Sequence, residues 1–234
     1  MPPSDWCALS TENWLIKMPF CSVLFDLDGT LLDTLDDLAD SMNAALACLG
    51  FPRHDVQCYR TFVGDGIRAL AERVLPEEDK SEEMVQACVN AMRDEYERRW
   101  RSKSRPYPGV NELTEELRRR EVAMAVLSNK PDSFTRKVVE HFFPNTGFRK
   151  VQGALPDVHR KPNPAAAISI AQKLDIAPSD WLYVGDTDTD MKTACAAGMF
   201  PVGVTWGFRD AQELRDFGAK ELIDSPMELL KLLD

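Results

Sequence analysis

Short runs of consecutive apolar residues punctuate the chain. Between most of them, apolar positions recur at the three-to-four spacing of an amphipathic helix. The first run, residues 21–25 in "FCSVLFDLDGTLLDT", reads as a strand buried on both faces, as parallel strands are. After "DGT", Leu35, Leu38, Ala39, Met42, Ala45, Leu46 and Leu49 trace one helical stripe closed by Gly50 and Pro52. Helical stretches follow at 55–62 and 65–75, and a long charged one at 81–101. Two prolines and a glycine in "RSKSRPYPGV" (101–110) then break the helical run.

Beyond residue 109 the texture alternates. A helix at 109–120 precedes the strand "EVAMAVLSN", helices at 132–142 and 163–174 precede "WLYVGD", and a helix at 188–197 precedes "FPVGVTW". A short strand at 220–223 and a last helix finish the chain. Strands alternating with helices predict an α/β fold with a doubly wound, Rossmann-like parallel sheet. The strandless helices interrupt that order. The simplest architecture is therefore a catalytic core at 18–33 and 106–234 carrying an inserted all-helical cap at 34–105. Residues 1–17 have no clean period and are expected to form a poorly ordered leader, with Met18 an alternative start.

A chain of 234 residues, 44% of them apolar, suits one such core with one insertion. The net charge of −10 argues against nucleic acid or an anionic membrane as partner. It leaves room for a small phosphorylated metabolite, because a metal ion can supply local positive charge. Six scattered cysteines (Cys7, Cys21, Cys48, Cys58, Cys88, Cys195) and three isolated histidines make neither a disulfide framework nor a zinc site. With no signal-peptide pattern and no apolar run near the ~18 residues of a membrane span, a cytoplasmic protein is expected. Monomer and homodimer stay equally open.

In doubly wound folds, ligands bind beyond the carboxyl ends of the strands. Three predicted strand ends carry chemistry: Asp26 and Asp28, then Ser128 and Asn129, then Gly185, Asp186 and Asp190. Lys161 stands in the loop "HRKPNP". Acids at the tip of a buried strand cost desolvation energy unless a cation or a chemical task requires them. A phosphate dianion 4 Å from a carboxylate is repelled by about 8 kcal/mol at an effective dielectric near 20, so a divalent cation and a lysine belong beside such acids. All the candidate ligands are hard oxygens, which favours Mg²⁺ over zinc. Gly29 lets the chain turn sharply after the acids, and Thr30 is expected to hold that loop. Asp28 is expected to be the better proton shuttle, because a carboxyl beside other carboxylates has its pKa pushed up.

This set, in this order, resembles the haloacid dehalogenase-like superfamily of phosphotransferases. "FDLDGTLLD", "SNK", Lys161 in "RKPNP" and "VGDTDTDM" look like its four motifs, over about residues 20–205. The resemblance implies that Asp26 is the nucleophile and is phosphorylated during turnover. Asp28 would protonate the leaving alcohol and then activate water, and Ser128, Asn129 and Lys161 would hold the phosphoryl group. Mg²⁺ would be bound by Asp26, Asp186 and the backbone carbonyl of Asp28, with Asp190 behind them. The helical insertion between the first two motifs is similar to that of the cap-bearing group acting on small molecules. Within that group, "FVGDGIRAL" (62–70) and "SNKP" (128–131) look like the phosphoglycolate phosphatases. That likeness makes Arg68 and Lys130 candidates for binding a substrate carboxylate. Pyrophosphatases, sugar-phosphate phosphatases and a beta-phosphoglucomutase-like mutase share the same motifs. A phospho-accepting signalling receiver domain would need neither the second acid nor so long a helical insertion.

Overall fold

The computed structural model describes residues 20–156 and 158–234; the leader expected over 1–17, and Cys7 with it, lies outside them. In chain order the strands are β1 (Ser22–Phe25), β2 (Leu32–Asp33), β3 (Arg105–Pro106), β4 (Ala123–Pro131), β5 (Lys150–Ala154), β6 (Trp181–Gly185), β7 (Phe200–Val204) and β8 (Glu221–Ile223). Six of them form one sheet in the order β5-β4-β1-β6-β7-β8, and every pairing in it is parallel. β1 lies at its centre, with Phe25 opposite Val126 on one side and Val184 on the other. The chain leaves β1 in both directions across the sheet, so the switch point falls where the acids are.

Side chains of β1 alternate between two cores, as a strand requires. Val23 and Phe25 join one cluster with α5 (Val110–Arg119) and α6 (Asp132–Phe142). Leu24 joins the other, built on α7 (Ala165–Lys173) and α8 (Asp188–Ala197). Small residues on these last helices, among them Ala167, Ala171 and Ala194, let them pack close to the strands.

The inserted helices are α1 (Leu35–Cys48), α2 (Tyr59–Phe62), α3 (Ile67–Val74) and α4 (Glu82–Arg99). The stripe Leu35, Leu38, Ala39, Met42, Ala45, Leu46 is buried, and α1 packs on Val85, Cys88, Val89 and Met92 of α4. Their core is continuous with the first cluster of the sheet. Where the chain enters and leaves this layer, β2 and β3 pair antiparallel, Leu32 with Pro106 and Asp33 with Arg105.

Three features were not legible in the pattern. β5, "KVQGA", mixes charge, amide and glycine and lacks an apolar run, yet it closes one edge of the sheet beside β4. The short charged α9 (Ala211–Asp216) has a single buried residue, Leu214. The last helix is a tighter 3₁₀ segment, Pro226–Leu232.

Asp37, buried in the first turn of α1, accepts from Lys103 N at 3.0 Å, Ser104 N at 2.9 Å and Ser104 Oγ at 2.7 Å. One carboxylate thus satisfies the backbone of the segment that returns to β3. Asp37→Ala is expected to cost about 1.5–3 kcal/mol in urea unfolding. A loss below about 0.5 kcal/mol, the range of a neutral surface change, would contradict that role.

Candidate active site

The carboxyl ends of β1, β4 and β6 converge on one cluster. Asp26 continues β1, its N–H donating to Val184 O at 2.9 Å. The chain then turns within five residues, Leu31 and Leu32 N both reaching back to Leu27 O at 3.0 Å. Gly29 makes the turn possible: its φ is +90°, and a Cβ there would lie 2.1 Å from Asp186 Oδ2. Thr30 Oγ1 donates to Asp186 Oδ1 at 2.9 Å, Phe208 N donates to its Oδ2 at 2.8 Å, and Trp206 Nε1 fixes Thr30 O at 3.0 Å.

Lys161 Nζ lies 2.7 Å from both Asp26 Oδ1 and Asp190 Oδ1. Asp190 is itself held by the start of α8: its Oδ2 accepts from Thr187 Oγ1 at 2.6 Å and, as one half of a capping box, from Thr187 N at 3.1 Å. Asp26, Asp186 and Asp190 each place one oxygen within 4.8 Å of the others, and all three are buried. One ammonium cannot neutralise three acids. Burial, then the Asp190 charge, pushes Asp26 well above the usual carboxylate range, with Lys161 only partly opposing. The same two causes raise Asp186 to about 7. Burial works against the charge on Lys161, but Asp190 and Asp26 outweigh it and hold its pKa well above normal. An oxygen-only donor set with uncompensated negative charge suits a hard divalent cation.

Asp28 is brought to the same cavity, but the expectation of carboxylate neighbours fails. Lys130 Nζ, arriving from the end of β4, lies 2.7 Å from both of its oxygens, and Thr34 Oγ1 donates to it at 2.7 Å. The acid cluster forms around Asp26, Asp186 and Asp190 instead. Ser128 lines the cavity beside Lys130. Asn129 does something its motif does not reveal. Its Oδ1 accepts from Lys161 N at 2.9 Å, and its Nδ2 donates to Lys161 O and to Gly64 O, both at 3.1 Å. It therefore clamps the lysine loop to the glycine turn of the helical layer.

Arg68 is not brought to the site. Ile67 and Leu70 of α3 face the cavity, which turns position 68 outward. There its Nε donates to Glu72 at 2.9 Å and its Nη1 to Glu82 at 2.9 Å. The turn between α2 and α3 is instead docked by residues that carry no motif. Asp65 accepts from Thr189 Oγ1 at 2.8 Å and pairs with Arg73. Arg209 donates to Val63 O at 2.9 Å and to Arg60 O, and Arg60 donates to Gly207 O. Apart from Asp65 with Arg73, these contacts span well over a hundred positions of sequence, and no local pattern marks them. The partly open cavity, about 70 Å³, is lined by Asp26, Asp28, Ser128 and Lys130 of the core and by Met92, Arg93 and Tyr96 of α4.

Residues 23–204 match the family of haloacid dehalogenase-like hydrolases. The chain belongs to that family. This hydrolase is 30% identical over 217 residues to a phosphoglycolate phosphatase of Psychrobacter arcticus, covering 90% of the chain and 94% of the relative. It is 32% identical over 216 residues to one of Vibrio parahaemolyticus, covering 90% and 95%. A crystal structure of a protein from Lactobacillus delbrueckii subsp. bulgaricus superposes with a TM-score of 0.87 at 27% identity, covering 92% of the chain and 99% of the other. Among the described residues, no helix of the hydrolase is long and apolar enough to cross a membrane.

The raised pKa of Asp186 fixes the sign of a pH effect. With a folded value near 7 against an ordinary 3.8, the folded state binds more protons than the unfolded chain between those values. This group's contribution to stability therefore falls as pH rises through that window. A divalent cation, which needs the ionised carboxylate, offsets that loss. The rise in Tm caused by Mg²⁺ is expected to be larger at about pH 8 than at about pH 5. Equal shifts at both would remove the cation from this cluster.

Proposed function

We infer that the chain hydrolyses a small phosphate monoester through an aspartyl phosphate on Asp26, and that the ester is 2-phosphoglycolate. One observation carries the reaction: Asp26 opens to the cavity with Lys161 at 2.7 Å, while Asp28, two residues on, opens to the same cavity. The phosphatase names of the relatives and the glycine turn 62–66 seated on the core carry the substrate.

In this reading an Asp26 oxygen attacks phosphorus and the bond to the leaving alcohol breaks. Asp28 gives that alcohol its proton, then takes a proton from the water that cleaves the acyl phosphate and frees inorganic phosphate. Lys161 and Ser128 contact the transferring oxygens, with Asn129 holding Lys161 in place and contributing to the phosphate site. Asp26, Asp186 and the backbone carbonyl of Asp28 would hold Mg²⁺, backed by Asp190 and Thr30. When bound, the ion supplies the charge that offsets repulsion between dianion and carboxylate. Residues 34–105 act as the cap that excludes water while the acyl phosphate forms. The free thiols of Cys21, Cys48, Cys58 and Cys88 fit a reducing compartment such as the cytoplasm.

A panel of 2-phosphoglycolate, pyrophosphate, sugar phosphates and p-nitrophenyl phosphate, with and without Mg²⁺, tests this assignment. The highest kcat/KM is expected for 2-phosphoglycolate, with Mg²⁺ required and phosphate released without any bisphosphate. Asp26→Asn is expected to fold normally and fall to background; near-normal turnover would end the nucleophile assignment. Asp28→Asn is expected to lose about 10²–10⁴-fold in kcat on alkyl phosphates and less on p-nitrophenyl phosphate. Equal losses on both would remove Asp28 from the proton transfer.

A further inference from the structure

We propose that Arg93 and Tyr96 of α4 form the subsite for a carboxylate carried by the leaving alcohol. The proposal deepens the phosphatase assignment above and rests on it. Charge matching inside the cavity points there first. Its charged lining residues are Asp26, Asp28, Lys130 and Arg93. Asp26 is matched by Lys161 and Asp28 by Lys130. Arg93, an exposed residue at the rim of this partly open cavity, has no ion pair or hydrogen bond among the described residues, which leaves it as the cation available to a ligand. Lys130, a candidate from sequence for the same task, has both of its short contacts on Asp28.

A second, independent observation concerns Tyr96. Its side chain lines the same cavity and the residue is only 4% exposed, yet its hydroxyl has no hydrogen-bonding partner. Lys130 Nζ lies over its ring, 4.9 Å from the centre. A buried hydroxyl in that state is stabilised by any ligand that brings an acceptor. Residues 92, 93 and 96 fall on one side of a helix, so Met92, Arg93 and Tyr96 face the cavity together.

Ile67, Leu70, Met92 and Phe134 make much of the remaining lining apolar, while Lys130 Nζ stands 4.9 Å from the centre of the Tyr96 ring. Apolar side chains beside a guanidinium–carboxylate pair lower the local dielectric and strengthen it. A carboxylate has two oxygens, one for the guanidinium and one for the phenolic O–H. A cavity of about 70 Å³ favours a short alcohol joining carboxylate to phosphate.

The test compares 2-phosphoglycolate with ethyl phosphate, which has the same carbon count and no carboxylate, using full-length enzyme. Arg93→Gln is expected to lower kcat/KM for 2-phosphoglycolate about 10- to 100-fold, mostly through KM. Its kcat/KM for ethyl phosphate is expected to stay within about threefold, and Arg93→Lys to recover part of the loss. Tyr96→Phe keeps the ring and is expected to lose about 3- to 10-fold, again only on the carboxylated ester. Equal losses on both esters, or no loss on either, would overturn the subsite. If the wild-type enzyme cleaves phosphate esters without preferring carboxylated ones, the subsite falls while the phosphatase assignment stands. If it cleaves no phosphate ester, both fall.

Discussion

Three carboxylates buried around one ammonium are the constraint on which this molecule is built. Asp26, Asp186 and Asp190 come from β1, the end of β6 and α8, and Lys161 comes from a loop that no strand supports. A buried charge set of this kind is costly unless each member is held in geometry that others compensate. The neighbourhood supplies that geometry at every point. Gly29 has no Cβ because Asp186 occupies the space, and Thr30 and Phe208 N each donate to an Asp186 oxygen. Thr187 both begins α8 and fixes Asp190. Residues that look like turn and cap chemistry in sequence are here the supports of an acid cluster.

The same constraint couples the two layers of the fold. Lys161 can bridge Asp26 and Asp190 only if its loop is fixed, and Asn129 fixes it through both backbone groups of residue 161. The third contact of that amide is Gly64 O of the glycine turn. Positioning of the lysine and seating of the helical layer therefore pass through one side chain. Asp65 with Thr189, and Arg209 with the carbonyls of residues 60 and 63, hold the same turn from its other sides. Loss of those contacts would free Asn129 from one of its two donor bonds and leave the lysine loop less constrained.

Much of this was readable in the chain, for physical reasons that differ by element. β1, β4 and β6 announce themselves because central parallel strands are continuous apolar runs, and their ends carry the acids because ligands meet such sheets there. β5 stayed hidden because an edge strand shares only one side with the sheet and tolerates Lys150, Gln152 and Gly153. The acids and the lysine of the site were legible as types at strand and loop positions. Their partners were not. Asp28 facing Lys130 is a contact across 102 positions, and Arg68 bound to Glu82 is set by how α3 rolls against α4. Such pairings are fixed by tertiary packing, which periodicity cannot express.

Chemistry and selectivity are therefore encoded at different depths of the sequence. The reacting groups sit at sheet ends, where backbone pairing fixes them and local motifs expose them. The selective groups belong to α4, whose eighteen residues read as a charged surface helix. On that helix nothing local separates Arg93 from Arg98, yet Arg98 meets Glu95 at 2.6 Å while Arg93 lines the cavity without a partner among the described residues. The difference arises because Met92 and Tyr96 anchor one side of α4 against the core, and Arg93 shares that side. A helix can thus exchange the residues on its cavity face, and with them the accepted leaving group, while the cluster of Asp26, Asp186, Asp190 and Lys161 is left untouched.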